Sequence, residues 1–199
     1  TNTDRVNWFF RSPVYKHFSL LTEYRGTLTE NGAGTTEVAG LCAFEYGACP
    51  SPYQLLSRPL PRALKAPLDL FVYQILNLGP DDQVLLSHHH IGGRPMITTA
   101  LHRSRSRYGH GLRDARFSVE RYRDTPEDTP YGIPMRIPAV TRFTARDDDG
   151  AVLDVTAELD TTLTFGLGSG FVTGFAHETT WRGAKISGRG YLEYIDRRG

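Results

Sequence analysis

Trp181-Arg182-Gly183-Ala184-Lys185-Ile186-Ser187-Gly188-Arg189-Gly190-Tyr191-Leu192-Glu193-Tyr194 decides the fold. It joins two short strands through a glycine-rich turn, the arrangement that closes an antiparallel sheet. Just upstream, Phe171 to Trp181 places Phe171, Phe175, His177 and Trp181 on one face, with Thr173 and Thr179 between them. Near the other end of the chain, Leu20 to Leu28 and Thr36 to Tyr46 flank Thr29-Glu30-Asn31-Gly32-Ala33-Gly34, where Asn-Gly supplies the positive φ angles of a hairpin turn. Leu68 to Leu78, Gln83 to His90, Met96 to Arg103, Ala115 to Tyr122, Arg136 to Arg146, Ala151 to Leu159 and Gly188 to Asp196 read as further strands. Almost no segment keeps a helical period for three turns. The pattern predicts an all-β fold, an antiparallel β-barrel of about eight to ten strands with helix below about a fifth.

Length and charge bound the rest. At 199 residues the chain suits one barrel domain over 1–199, with 1–47 readable instead as the closing hairpin of a preceding barrel. With 23 basic against 22 acidic residues there is no charge excess to drive binding to nucleic acid. No run is long and apolar enough to span a bilayer, so a soluble, cytoplasmic protein is expected. Cys42 and Cys49 exclude a disulfide scaffold but leave one short bridge open. The chain starts at Thr1 without an initiator Met, so a trimmed or partial chain is open too.

Two proline-rich segments interrupt the strands. Ala48 to Pro67 reads as an extended loop with one helical turn near Gln54 to Leu56, and Asp124 to Pro138 as a rim or lid over one barrel end. Phosphate loops, nucleophile elbows and His-Glu-x-x-His are absent, so no cofactor is expected. Gly166-Leu167-Gly168-Ser169-Gly170 lies between strands and reads as a connection or bulge.

Trp181-Arg182-Gly183 followed by Ser187-Gly188-Arg189-Gly190-Tyr191-Leu192-Glu193 resembles the closing motif of the lipocalin-like proteins related to AttH and the carotenoid 1,2-hydratases, Trp-Glu-Gly then Gly-x-Gly-Tyr-Leu-Glu. Val38 to Tyr46 and Leu68 to Gln74 are similar to an internal strand pair of that family. Arg182 stands where the family has Glu, and the Arg of the family's aromatic-acid motif is replaced near Ala43 and Phe44. The resemblance implies a calycin barrel, one of two in tandem in family members, that binds a hydrophobic small molecule. It also implies cofactor-free isomerisation, hydration or cyclisation of that molecule, with carriage alone as the alternative. A homodimer or a tandem partner domain is the expected assembly.

Within such a barrel, His177 and Glu45 are the acid/base candidates. His177 is otherwise a satisfied core histidine. Glu45 shares a face with Ala39, Leu41 and Ala43, where burial would raise its pKa unless an arginine such as Arg25 or Arg103 pairs with it. Tyr73, Gln74, Trp181, Phe175, Phe171, His88, His90 and Tyr46 are the ligand-binding candidates. His88 and His90 share a strand face, suiting a polar barrel mouth or, with His102 or Glu45 as third ligand, a metal. The mouth is the favoured reading, and no metal is expected. His102-Arg103-Ser104-Arg105-Ser106-Arg107 reads as a solvated hairpin end rather than a nucleic-acid patch.

Overall fold

The computed structural model describes residues 7–11, 16–48, 68–106, 109–166 and 169–198. Its strands are β1 (Asn7–Arg11), β2 (Lys16–Glu30), β3 (Gly34–Ala48), β4 (Leu68–Asn77), β5 (Asp82–Ile91), β6 (Arg94–Ser104), β7 (His110–Tyr122), β8 (Pro138–Arg146), β9 (Val152–Leu159), β10 (Thr164–Phe165), β11 (Phe171–Trp181) and β12 (Ala184–Asp196). No α-helix occurs among the described residues. The proline-rich loop and helical turn expected around Gln54 to Leu56 fall outside them, as does Cys49; Cys42 carries no disulfide.

Antiparallel pairing runs β11-β12-β4-β5-β6-β7-β8-β9, and β9 pairs back onto β11, so eight strands close into a barrel. Short turns make that possible. Trp181 pairs with Ala184 across Arg182 and Gly183, both at positive φ, which is the two-residue turn whose twist matches a hairpin. Gly92 and Gly93 do the same between β5 and β6.

Inside, alternate residues of all eight strands form one core that includes Val72, Leu86, Phe143, Val155, Phe175 and Leu192. The closing motif owes its glycines to this core. Gly190 pairs with Phe175 and Gly188 with His177, and a Cβ on Gly190 would run into the Phe175 ring, while one on Gly188 would stand 2.9 Å from His177 Nε2. In β7 the inward residues switch from Leu112 to Ala115 and Phe117, because a bulge between Arg113 and Arg116, with Asp114 at positive φ, inserts an extra residue.

β2 and β3, with β1, form a separate sheet. The base of this hairpin sits on the barrel's outer face, where Ser19 bonds Arg103 and Glu45 bonds Tyr73. That packing corrects the reading of a solvated end for His102 to Ser104: β6 continues through Ser104, His102 faces the interior, and Arg103 is 0% exposed beneath the hairpin, while Arg105 and Ser106 are exposed as expected and Arg107 lies outside the described residues. The segment leading to Pro138 does close one end, since Met135 and Ile137 are buried in the core there.

Candidate functional site

β4 divides the candidate residues into two sets, because neighbouring side chains on a strand point to opposite faces. Gln74 faces the interior with Phe171, Phe175, His177 and Trp181 from β11. Tyr73 faces out, towards the hairpin and Glu45. The barrel wall therefore separates His177 from Glu45, and the two cannot act on one substrate atom.

The interior is filled rather than hollow at mid-height. Gln74 Nε2 donates to Thr141 Oγ1 of β8, directly across the barrel, at 3.0 Å. His177 is 2% exposed and shares a 2.9 Å bond with Thr179; burial holds its pKa below the usual value, so it is neutral at physiological pH. His88 and His90 sit nearer the end closed by Met135, with their Nε2 atoms 2.8 Å apart and His88 Nδ1 on Thr98 Oγ1 at 2.8 Å. Burial, helped by His90 and His89, lowers His88 to about 4. Neither His102 nor Glu45 joins them, and among the described residues no group of three or more His, Cys, Asp or Glu could hold a metal.

His102 instead belongs to the opposite end, bonded to Asp82 at 2.9 Å and in ring contact with Trp181 and His110. His110 bonds Asp147 at 2.9 Å, and Arg182 pairs with Asp147 and Asp149. The Asp147 carboxyl is buried, which alone would raise its pKa. The bonds from Arg182, the Asp148 amide and His110 outweigh burial and hold it well below the carboxylate range. An arginine after Trp181 thus fits an acidic turn opposite it.

Outside, a cleft of about 450 Å³ opens between β3 and the outer faces of β4 and β12. Leu41, Ala43 and Ile75 supply an apolar wall; Glu45, Tyr73, Tyr191 and Glu193 supply the polar one. Register builds it: Tyr73 pairs with Glu193 and Ile75 with Tyr191, which places two aromatic and acidic side chains side by side. Tyr73 donates its hydroxyl to Glu45 Oε1, His17 Nε2 lies 3.4 Å from Glu45 Oε2, and Tyr191 donates to Glu193 Oε1 at 3.0 Å. Behind them Arg103 donates to Ser19 at 2.6 Å and to Gln83.

The two carboxyls are pushed apart. Burial raises Glu193, and the Glu45 charge raises it further against the bond from Tyr191. Burial would raise Glu45 as well, but His17, Tyr73 and Ser19 overcome it and leave Glu45 below its usual value. Glu45 is therefore paired, as one of the two readings of its apolar row allowed, but its partners are His17 and Tyr73 rather than an arginine in direct contact. Burial and the Glu45 charge push the Tyr73 hydroxyl far up, so it stays a donor.

Tyr46 points away from the cleft, half exposed and stacked on Phe18 at 5.3 Å. Glu193 and Tyr191 are the site residues that sequence reasoning misses. Their shared parity on β12 is legible, but only the β4–β12 register brings them to Tyr73.

A family model matches residues 1–199. The chain belongs to DUF6670, a family of unknown function. No curated protein matches it. Among solved structures, the DUF6670 chain is similar to kievitone hydratase from Nectria haematococca, with a TM-score of 0.62 at 11% identity, over 92% of this chain and 53% of that one. The match shows a lipocalin-like barrel, and the chain spans about half of the hydratase's length. No helix among the described residues is long and apolar enough to cross a membrane.

Proposed function

We propose that this DUF6670 protein binds an apolar small molecule in the outer cleft and transfers a proton to or from it without a cofactor. Hydration of an alkene is the first reaction class to test, with isomerisation or cyclisation next. One observation carries the reading: two carboxyls share a partly buried cleft, and their surroundings drive their pKa values in opposite directions. Such a pair divides acid and base roles. Glu193, the raised one, is the better proton donor of the two; Glu45, lowered, is ionised and accepts one, with Tyr73 and His17 orienting it. Leu41, Ala43 and Ile75 would hold the apolar part of the substrate against them.

The closing-motif resemblance to AttH and the carotenoid 1,2-hydratases, and the name of the structural neighbour, both support hydration as the starting point. The half-length match to that neighbour also fits one barrel of a tandem, acting beside a second barrel or a second copy.

Native mass spectrometry of the purified protein tests binding. An apolar adduct is expected, and it should disappear in Ala43→Trp, which fills the cleft. Retention by Ala43→Trp together with loss from His177→Leu would move the ligand into the barrel. Incubating the complex in deuterated water then separates the enzyme from the carrier: deuterium entering a carbon position of the ligand marks turnover, and its absence leaves carriage.

A further inference from the structure

The outer cleft is laid out along β4. Tyr73, Ile75 and Asn77 follow one another on its outer face at every second residue, so Asn77 stands about 13 Å along the strand from Tyr73. Tyr73 marks the end of the cleft that holds Glu45 and Glu193, and Asn77 marks the other, where Arg189 also lines it.

Neighbouring strands determine what Asn77 offers there. Asn77 pairs with Gln83 of β5, and Gln83 pairs with Arg103 of β6, so the three side chains form one row across the outer face. Arg103 is 0% exposed, and a guanidinium has hydrogens to give and no lone pair to receive one. It donates to Gln83 Oε1, which fixes the way that amide faces. Gln83 Nε2 then donates to Asn77 Oδ1 at 2.9 Å, which fixes the second amide in turn. The Asn77 oxygen is thereby occupied, and its Nδ2 hydrogens are left for the cleft that Asn77 lines. Arg189 is held by Asp160 through two bonds, at 2.7 and 2.8 Å, so its charge is already matched. A neutral oxygen suits this end better than a carboxylate, which would share the cleft with the ionised Glu45.

We propose that Asn77 selects the substrate of the cleft: an elongated, uncharged, largely apolar molecule whose carbonyl oxygen accepts from Asn77 Nδ2, about 13 Å from the carbon that exchanges a proton. The inference rests on the ligand occupying the cleft as assigned above. Asn77 touches the substrate, while Gln83 and Arg103 act through it as positioning residues.

Fluorescence titration of the purified protein with Nile red, an uncharged dye with a ring carbonyl, and with pyrene, a hydrocarbon with no oxygen, tests it. Asn77→Asp keeps an oxygen for Gln83 and turns the donor facing the ligand into an acceptor. Nile red affinity should fall about tenfold or more while pyrene affinity stays within about twofold. In Asn77→Leu the emission of bound Nile red should move to the blue, because the carbonyl loses its hydrogen bond. Unchanged Nile red affinity in Asn77→Asp, or equal losses for the two probes, overturns the role of Asn77 while Ala43→Trp still abolishes binding and upholds the cleft. Nile red binding that survives Ala43→Trp overturns both.

Discussion

Tyr73 and Gln74 are adjacent on β4, yet they belong to different worlds. Gln74 spans a filled interior to reach Thr141, while Tyr73 meets Glu45 in a cleft outside the wall. Lipocalin-like barrels suggest a ligand in the lumen, and here the lumen is a core. The difference teaches that the inner face of these strands supplies stability, and that the groups proposed to move protons gather where a hairpin covers the outer face.

Breaking the inner face should be the costlier injury. Trp181→Ala, which empties a core position at the end held by His102 and Arg182, is expected to cost about 3–5 kcal/mol in chemical denaturation, while the apolar adduct survives in the fraction still folded. A melting point unchanged from wild type would place Trp181 outside the core.

Acid should attack both faces of β5. His88 on the inner face and His89 on the outer are held near 4 in the folded protein against about 6.5 when unfolded, so their contribution is complete above pH 6.5 and is lost as pH falls towards 4. Each accounts for about 3 kcal/mol at most. Stability measured from pH 7 to 4 should fall, and His88→Asn should flatten the slope; parallel curves for variant and wild type would remove His88 from the account.

The outer face sharpens the contrast through rates. Glu193→Gln and Glu45→Gln should each slow deuterium incorporation about 100-fold, the scale of a lost general acid or base, and leave the fold intact. His177→Leu should change the rate by no more than a few-fold in the folded fraction. A reversed ranking would put the chemistry back inside the barrel.

A smaller effect belongs to the charged end. Asp147→Asn should lose about 1.5–3 kcal/mol at pH 7, the value of bonds between charged partners at a buried carboxylate. Because the folded Asp147 pKa is depressed, that stabilisation is present above the unfolded carboxylate pKa near 4 and is lost as pH falls below it. The variant and wild type should therefore converge in acid; a gap that stays constant down to pH 2 would mean the carboxylate is not the source.

Much of the barrel is legible in the sequence because alternation is strict where one face is buried. Phe171 to Trp181 and the Asn31-Gly32 turn need nothing else. β7 is harder: its bulge near Asp114 breaks the alternation, so the strand reads as beginning at Ala115 when it begins at His110. The site is harder still. Gln83, Ser87, His89 and Arg103 are polar and look like a wet face, and only the docked hairpin shows why they are buried. Glu45 is legible as a candidate from its apolar neighbours. Its partner Glu193 is not, since register between strands more than a hundred residues apart leaves no local signal.

Methyl-resolved NMR during titration with a neutral apolar probe such as Nile red tests the central division between wall faces most directly. Shifts concentrated at Leu41, Ala43 and Ile75, with Val72, Val155 and Leu192 unmoved, are predicted by a ligand in the outer cleft. The opposite pattern, with Val72, Val155 and Leu192 shifting and Ile75 still, would contradict it and return the ligand to the lumen.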